Sequence, residues 1–375
     1  MLSFSPSSKL EKALKSLQVD IVLLAQELST MDEAEKSWLS KSVLISTIGA
    51  STRIENAALT DAEIEWVDTT LTQDGKTTAY QSKRTFILNK LSKDRERSIE
   101  EVVGCREVLN LLYIQTNDFF PLTESTIRGM HKILLSYYPK ASPYAGRYKP
   151  NPNLVVSVNH DSGERRTVLE PTPPGPLTEA AMRDLITWYN SVIEEYPWTI
   201  LVATEFVFRF LAIHPFQDGN GRIGRALFLL ALMQGDDPAL KQVVHFISID
   251  RQIERNRPLY YSALQNVSGG HYRVNPEDYN LEPLAWFFLK MIQNALDDVT
   301  MLRQRYTAMI RLSEGANKVL ACFKSSPEKR LSVSELVQET GLVRRSVQNA
   351  LVNLVKAGFL QRLGIGPSSR YQLIF

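Results

Sequence analysis

His214-Pro215-Phe216-Gln217-Asp218-Gly219-Asn220-Gly221-Arg222-Ile223-Gly224-Arg225 is the stretch on which the reading of this chain turns. Before it, Thr199 to Ile213 reads as an apolar helix with Phe206, Phe210 and Ile213 on one face, stopped by Pro215. After it, Ile223 to Met233 begins a second, largely apolar helix. A connection between two buried helices is usually plain, whereas this one holds an imidazole, a carboxylate, an amide and two guanidinium groups. Gly219 and Gly221 let backbone N–H groups converge in a nest just ahead of a helix N-terminus, an arrangement that binds phosphate. Arg222 and Arg225 share one face of the helix start and are placed to clamp further phosphate oxygens. Asp218 beside a polyphosphate is a hard ligand for Mg²⁺. His214 titrates near neutrality and is a candidate base for a hydroxyl proton. Phe216 reads as the apolar anchor of the loop. Taken singly each residue has an ordinary explanation, since Asp-Gly-Asn-Gly is a common turn and Arg is common at helix starts. Together they read as a built site.

The surrounding chain has 375 residues, 44 % hydrophobic and 22 % charged, enough for a buried core and two to three domains. Its net charge of +2 excludes no partner class, because it averages over unlike segments. Two distant cysteines, Cys105 and Cys322, match no metal or redox spacing and favour a reducing compartment. Met1 to Leu10 lacks the pattern of a signal peptide, and no apolar run is long enough to span a bilayer. The expectation is a cytoplasmic protein with no membrane partner.

Most of the chain reads as helix. Residues 1–115 form a helical region, with Leu10, Leu14, Leu17 and Ile21 at helical spacing and a capping box at Thr60-Asp61-Ala62-Glu63. Residues 116–300 hold the motif loop. Strand-like alternation is expected in two places only, Leu154 to Val168 and Phe359 to Phe375. In the first, Leu154 to Val158 and Arg165 to Leu169 flank the turn residues Asn159-His160-Asp161-Ser162-Gly163, which fits a β-hairpin.

The twelve-residue loop matches the signature His-x-Phe-x-Asp/Glu-Gly-Asn-Gly-Arg-x-x-Arg without a departure, and by it the chain resembles Fic-domain proteins. The resemblance implies a mainly α fold, a helical core with a β-hairpin flap, and transfer of AMP from Mg·ATP to a Ser, Thr or Tyr hydroxyl of a target protein, including the enzyme itself. It makes His214 the base and Asp218 the metal holder. Asn220 with the Gly219 and Gly221 backbone would hold the α- and β-phosphates, and Arg222 and Arg225 the outer ones. Gly146-Arg147-Tyr148 and the hairpin resemble the flap, bringing Val156 and Ser157 to the nucleotide. Tyr260-Tyr261 with Leu264 resembles the segment around adenine, with Asn266 close beyond it.

Ser51-Thr52-Arg53-Ile54-Glu55-Asn56 resembles the inhibitory helix of autoinhibited Fic proteins, placed at about residues 46–57. Ser51 and Glu55 are four apart and share a helix face. A carboxylate beside Arg225 would occupy the γ-phosphate position. In some such enzymes the glutamate also helps remove AMP.

Residues 312–375 differ in charge. From Gly315 to Phe375 nine Lys or Arg face three Glu, 9 − 3 = +6, leaving the rest of the chain near −4. Ser332-Val333-Ser334-Glu335 is a capping box, Gly341 ends its helix, and the next helix turns Val347, Leu351, Leu354 and Val355 inward. With two strands around Gly364-Ile365-Gly366-Pro367, this block resembles a winged-helix domain. Gln348 and Asn349 would read base edges, while Arg362 or Arg370 would meet phosphate, making DNA a candidate partner. The alternatives to AMP transfer are a DNA-binding regulator with a nucleotide-sensing core, and transfer of UMP or a phosphoryl group.

Overall fold

The computed structural model describes residues 1–73, 76–77, 79–91, 95–158, 165–366 and 369–374. Helices α1 (Ser8–Thr30), α2 (Glu33–Ile54) and α3 (Asp61–Leu71) lead into a short ribbon of β1 (Thr72–Gln73) and β2 (Lys76–Thr77). Helices α4 (Tyr80–Lys90), α5 (Glu96–Gln115) and α6 (Glu124–Leu135) follow, then the antiparallel pair β3 (Val155–Val158) and β4 (Arg165–Leu169). Next come α7 (Pro176–Val192), α8 (Thr199–Ile213), α9 (Asn220–Gln234), α10 (Pro238–Val244), α11 (Ile249–Arg255), α12 (Arg257–Ser268) and the long α13 (Glu282–Ile310). The chain closes with α14 (Glu314–Lys324), β5 (Leu331–Ser332), α15 (Val333–Thr340), α16 (Arg344–Lys356), β6 (Leu360–Leu363) and β7 (Arg370–Leu373). The last three strands form one antiparallel sheet in the order β5-β7-β6.

The fold is mainly helical, and three strands, β1, β2 and β5, fall outside the expected places. The β1–β2 ribbon interrupts the N-terminal helices, and β5 pairs with β7 ahead of the expected C-terminal strands. Each of β1, β2 and β5 is two residues long, too short for alternation to show. The hairpin turn at 159–163 and Pro367 lie outside the described residues.

α8 is the spine. Its residues are buried from Thr199 to Ile213 except Arg209, whose guanidinium pairs with the buried Glu205 at 3.3 Å and stacks on Trp188. A helix hydrophobic on all sides belongs at the centre of a bundle. α9 packs along it, and α7, α13 and α2 surround the pair. One apolar cluster runs from Leu10 to Val299, so the segments 1–115 and 116–300 share a single core. A second cluster, from Ala316 to Leu373, takes in Ala62 of α3. The Thr60–Glu63 and Ser332–Glu335 capping boxes are both formed, each stabilising its helix start by about 1 kcal/mol. Among the described residues no helix is long and apolar enough to cross a membrane, and both cysteines are buried and free.

Candidate active site

The junction of α8 and α9 is built by satisfying the carbonyls that a helix end leaves open. α8 ends on His214 in the left-handed conformation, φ 50° and ψ 57°, which costs a non-glycine residue about 1–2 kcal/mol. The stem of the β3–β4 hairpin offsets that cost. Lys149 Nζ donates to the Ile213 carbonyl at 3.1 Å and Thr172 Oγ1 to the same oxygen at 2.9 Å. Lys149 N donates to Pro215 O at 2.8 Å, and Asn153 Nδ2 donates to Phe216 O at 2.8 Å.

From the other side His131, fully buried, stacks on Phe216 with ring centres 3.8 Å apart. Its Nε2 faces the Asp218 carbonyl at 2.9 Å and its Nδ1 accepts from Gly146 N at 2.9 Å, which fixes a neutral tautomer protonated on Nε2. Burial pulls this imidazole down to about 4. None of Lys149, Asn153, Thr172 and His131 carries a local motif, so each was missed by sequence reasoning.

His214 presents its ring to the cavity beside this scaffold. Its Nδ1 lies 3.3 Å from the Leu211 carbonyl, so Nδ1 carries the proton and Nε2 is left as a free acceptor. Burial, reinforced by the nearby Lys149 cation, holds the imidazole at about 4, so it is neutral across the physiological range with Nε2 unprotonated. Lys149 itself is pulled down to about 8 by burial.

The motif residues divide. Gly219 adopts φ 80°, the left-handed step that turns the chain into α9. Gly221 is helical; its lack of a side chain serves space, because a Cβ there would overlap the Glu55 carboxylate. Residues 220 to 222 open α9, so their N–H groups have no carbonyl one turn earlier and form an anion-binding end. Asp218 lines the cavity with its side chain 46 % exposed, Oδ1 accepting from Gly219 N at 2.6 Å. Asn220 departs from expectation. Its Oδ1 accepts from Phe216 N at 2.9 Å and its Nδ2 donates to Phe216 O at 2.6 Å, so the amide clamps the loop instead of reaching for phosphate. Arg222 departs as well: it is buried against Asp218 at 3.3 Å and Glu101 at 3.9 Å and does not line the cavity. Residues 222 and 225 diverge because Arg225 is drawn towards α2 and α11.

The cavity measures about 260 Å³. Val155, Val156, Val168 and Leu169 of the hairpin form one wall and Tyr260, Tyr261 and Leu264 of α12 another, with residues 217–221 as its floor. Tyr260 also packs on Phe287 and Phe288, which makes it core and lining at once. Asn266 is exposed and does not line the cavity. The Ser157 side chain lies outside the described residues.

At the far end stands Glu55. α2 closes with a Schellman arrangement, Asn56 N donating to Arg53 O at 2.9 Å and Ala57 N to Thr52 O at 3.0 Å, with Asn56 at φ 72°. That geometry accounts for an Asn after the glutamate, since few other residues take a left-handed φ. Glu55 Oε1 accepts from Arg225 Nη2 at 3.0 Å; Arg225 also holds the Ser51 carbonyl at 2.7 Å and its hydroxyl at 3.1 Å. On its other side Arg225 Nε lies 3.2 Å from Asp250 of α11, a carboxyl that burial pushes up to about 6 against the pull of Arg225. Arg53 forks onto Glu254 of the same helix at 2.6 and 3.0 Å and reaches Asp61 at 2.8 Å.

A helical bundle with a hairpin wall and a His-x-Phe-x-Asp-Gly-Asn-Gly-Arg loop at its centre is the arrangement shared with Fic-fold structures. Residues 121–232 match the Fic/DOC family. The chain is 24 % identical over 276 residues to a protein named Protein adenylyltransferase Fic from Drosophila ananassae, across 72 % of this chain and 49 % of that protein. The chain thus spans about half the length of that curated relative. In fold it resembles a Fic family protein from Desulfovibrio desulfuricans at 21 % identity and TM-score 0.56, covering 100 % of this chain and 98 % of that one. It also resembles a Fic domain containing signaling protein from Bacteroides thetaiotaomicron at 21 % identity and TM-score 0.56, covering 78 % and 98 %.

Proposed function

We propose that the chain transfers AMP from ATP to a hydroxyl side chain of a protein, and that Glu55 restrains it. The observation that carries the reading is His214: its Nδ1 is turned to the Leu211 carbonyl and its free Nε2 to a cavity floored by the N-terminus of α9. In the reaction so read, Nε2 takes the proton of the attacking hydroxyl as its oxygen bonds to the α-phosphorus. The bond from that phosphorus to the β-phosphate bridging oxygen breaks and pyrophosphate leaves. The N–H groups of residues 220 to 222 and the α9 dipole face the growing negative charge, the kind of preorganised stabilisation that lowers such barriers most. Val156 and Tyr261 flank the space an adenosine would fill.

A Mg²⁺ that arrives with ATP takes few carboxylates and several phosphate oxygens. Asp218 is the carboxylate that fits, since its side chain is exposed to the cavity. A bound Mg²⁺ would supply charge neutralisation for the phosphates. Glu55, set against Arg225 and Gly221, stands where an outer phosphate would meet the guanidinium. The family match and the adenylyltransferase relative support the reaction class. Intact-mass measurement after incubation with Mg·ATP tests it: the Glu55→Gly protein should gain an adenylyl group and the Glu55→Gly/His214→Ala protein should not. A phosphoryl mass on the first would replace this reading with kinase chemistry.

A further inference from the structure

The C-terminal unit, α14 to β7, rests on the first turn of α3. Its apolar cluster takes in the buried Ala62, whereas Ile64, Val67 and Leu71 further along the same helix belong to the main core. Ion pairs flank that seat. Lys324 at the end of α14 reaches Glu65 at 3.2 Å, and Arg95 bridges Glu63 of α3 at 2.7 Å to Glu328 of the unit at 3.7 Å. From α13, Arg305 donates to the Gly358 carbonyl at 2.9 Å and lies over the Phe359 ring. Arg362 and Arg370, expected to meet phosphate, are engaged inside the unit, with Ser369 at 3.0 and 2.9 Å and with Glu335 at 3.0 Å.

The turn beneath the unit is the one that fixes the end of α2. Asp61, the first residue of α3, lies 2.8 Å from Arg53 Nη1 and 3.1 Å from Arg251 of α11. The same Arg53 nitrogen donates to the Leu59 carbonyl at 3.0 Å, so the link from α2 to α3 is knotted around one guanidinium. Glu55 follows Arg53 by two positions and meets Arg225. We propose that the docked C-terminal unit is a second hold on the Glu55–Arg225 contact, and that lifting it off α3 raises AMP transfer. The proposal rests on the AMP-transfer reading with Glu55 as its restraint. Undocking exposes Ala62 and takes Lys324 from Glu65 and Glu328 from Arg95. The rest of α3 stays packed in the main core, so the loosening is confined to the turn that carries Asp61, and through Arg53 it reaches Glu55. The linkage is reciprocal: opening the Glu55 contact must also weaken the seat of the unit.

The test uses the full chain with Lys324→Glu/Glu328→Lys, which turns both ion pairs into repulsions and leaves α2 and α3 unchanged. Autolabelling with Mg·ATP should rise about fivefold over wild type, the order that half-exposed ion pairs command. In the Glu55→Gly background the same two changes should add nothing, whereas a general disturbance of the fold would lower that rate. Hydrogen exchange without nucleotide gives an independent readout. Amides of residues 53–61 should exchange at least about threefold faster in the double variant, while those of α8 keep the wild-type rate. Ala62→Arg, which drives a charge into the shared cluster, should repeat both effects. Wild-type labelling by these variants, where Glu55→Gly alone labels faster, overturns the coupling and leaves the restraint standing. Glu55→Gly labelling no faster than wild type overturns the restraint itself. Unchanged exchange at residues 53–61 in both variants overturns the coupling whatever the labelling shows.

Discussion

The carboxylate of Glu55 meets the guanidinium of Arg225 at 3.0 Å, directly over the α-carbon of Gly221 at the start of α9. The residues that end one helix thus occupy the positive end of another, 170 positions away.

This contact is held from behind by Arg53. Its fork onto Glu254 ties the end of α2 to α11, which also carries Asp250 against Arg225. Glu254→Gln should loosen that end without touching the cavity. A loss of about 1.4 kcal/mol from the closed arrangement raises the open population tenfold, so autolabelling should rise by up to about that factor. The Glu55→Gly/Glu254→Gln protein should label no faster than Glu55→Gly alone. Single-variant labelling at the wild-type rate would remove α11 from the account.

His214 is held near 4 by burial and by Lys149, below its ordinary 6.5. The acidic limb of kcat/KM for ATP, which reports the free enzyme, should therefore fall below pH 6 in the Glu55→Gly protein. Lys149→Met removes a like charge from beside the imidazole, which raises its pKa and moves that limb to higher pH. A limb that stays at one pH in both proteins would contradict the coupling.

His131 is buried neutral, its pKa lowered to about 4 in the fold against 6.5 for a free imidazole. A group depressed in this way contributes stability that is complete above pH 6.5 and is lost as pH falls towards 4. The shift corresponds to about 3 kcal/mol. Thermal melts should show that decline, and His131→Gln should melt lower at pH 7.5 with a flatter pH dependence. An equally steep decline in the variant would assign it to other groups.

Phe216 has no chemistry, yet it is fully buried between His131 and Tyr148. Phe216→Leu should retain the fold while loosening the loop, with truncation to Ala costing about 3–5 kcal/mol. Urea melts and labelling measured on the same Phe216→Leu preparations should show more loss of rate than of stability.

Much of this site is local and therefore legible. Pro215 and Gly219 mark the loop, and the hairpin strands are signalled by Val155-Val156 and by the residues at 165–169. The spacing of Ser51 and Glu55 placed both on the face that meets Arg225. What could not be read depends on tertiary approach. Lys149, Asn153, Thr172 and His131 act on carbonyls 41 to 87 positions away, and an isolated lysine or histidine carries no sign of that. Direction also escaped: Asn220 and Arg222 belong to the motif, but the helix turn points them into the protein. Two-residue strands such as β1 and β5 leave no period to detect.

Labelling with ATP carrying its radioactive phosphorus at either the α or the γ position tests the central claim most directly. The Glu55→Gly protein should incorporate α-label into itself, at least tenfold faster than wild type, and no γ-label. The same protein with His214→Ala should incorporate neither. Incorporation of γ-label, or equal α-labelling of wild type and Glu55→Gly, would contradict the account.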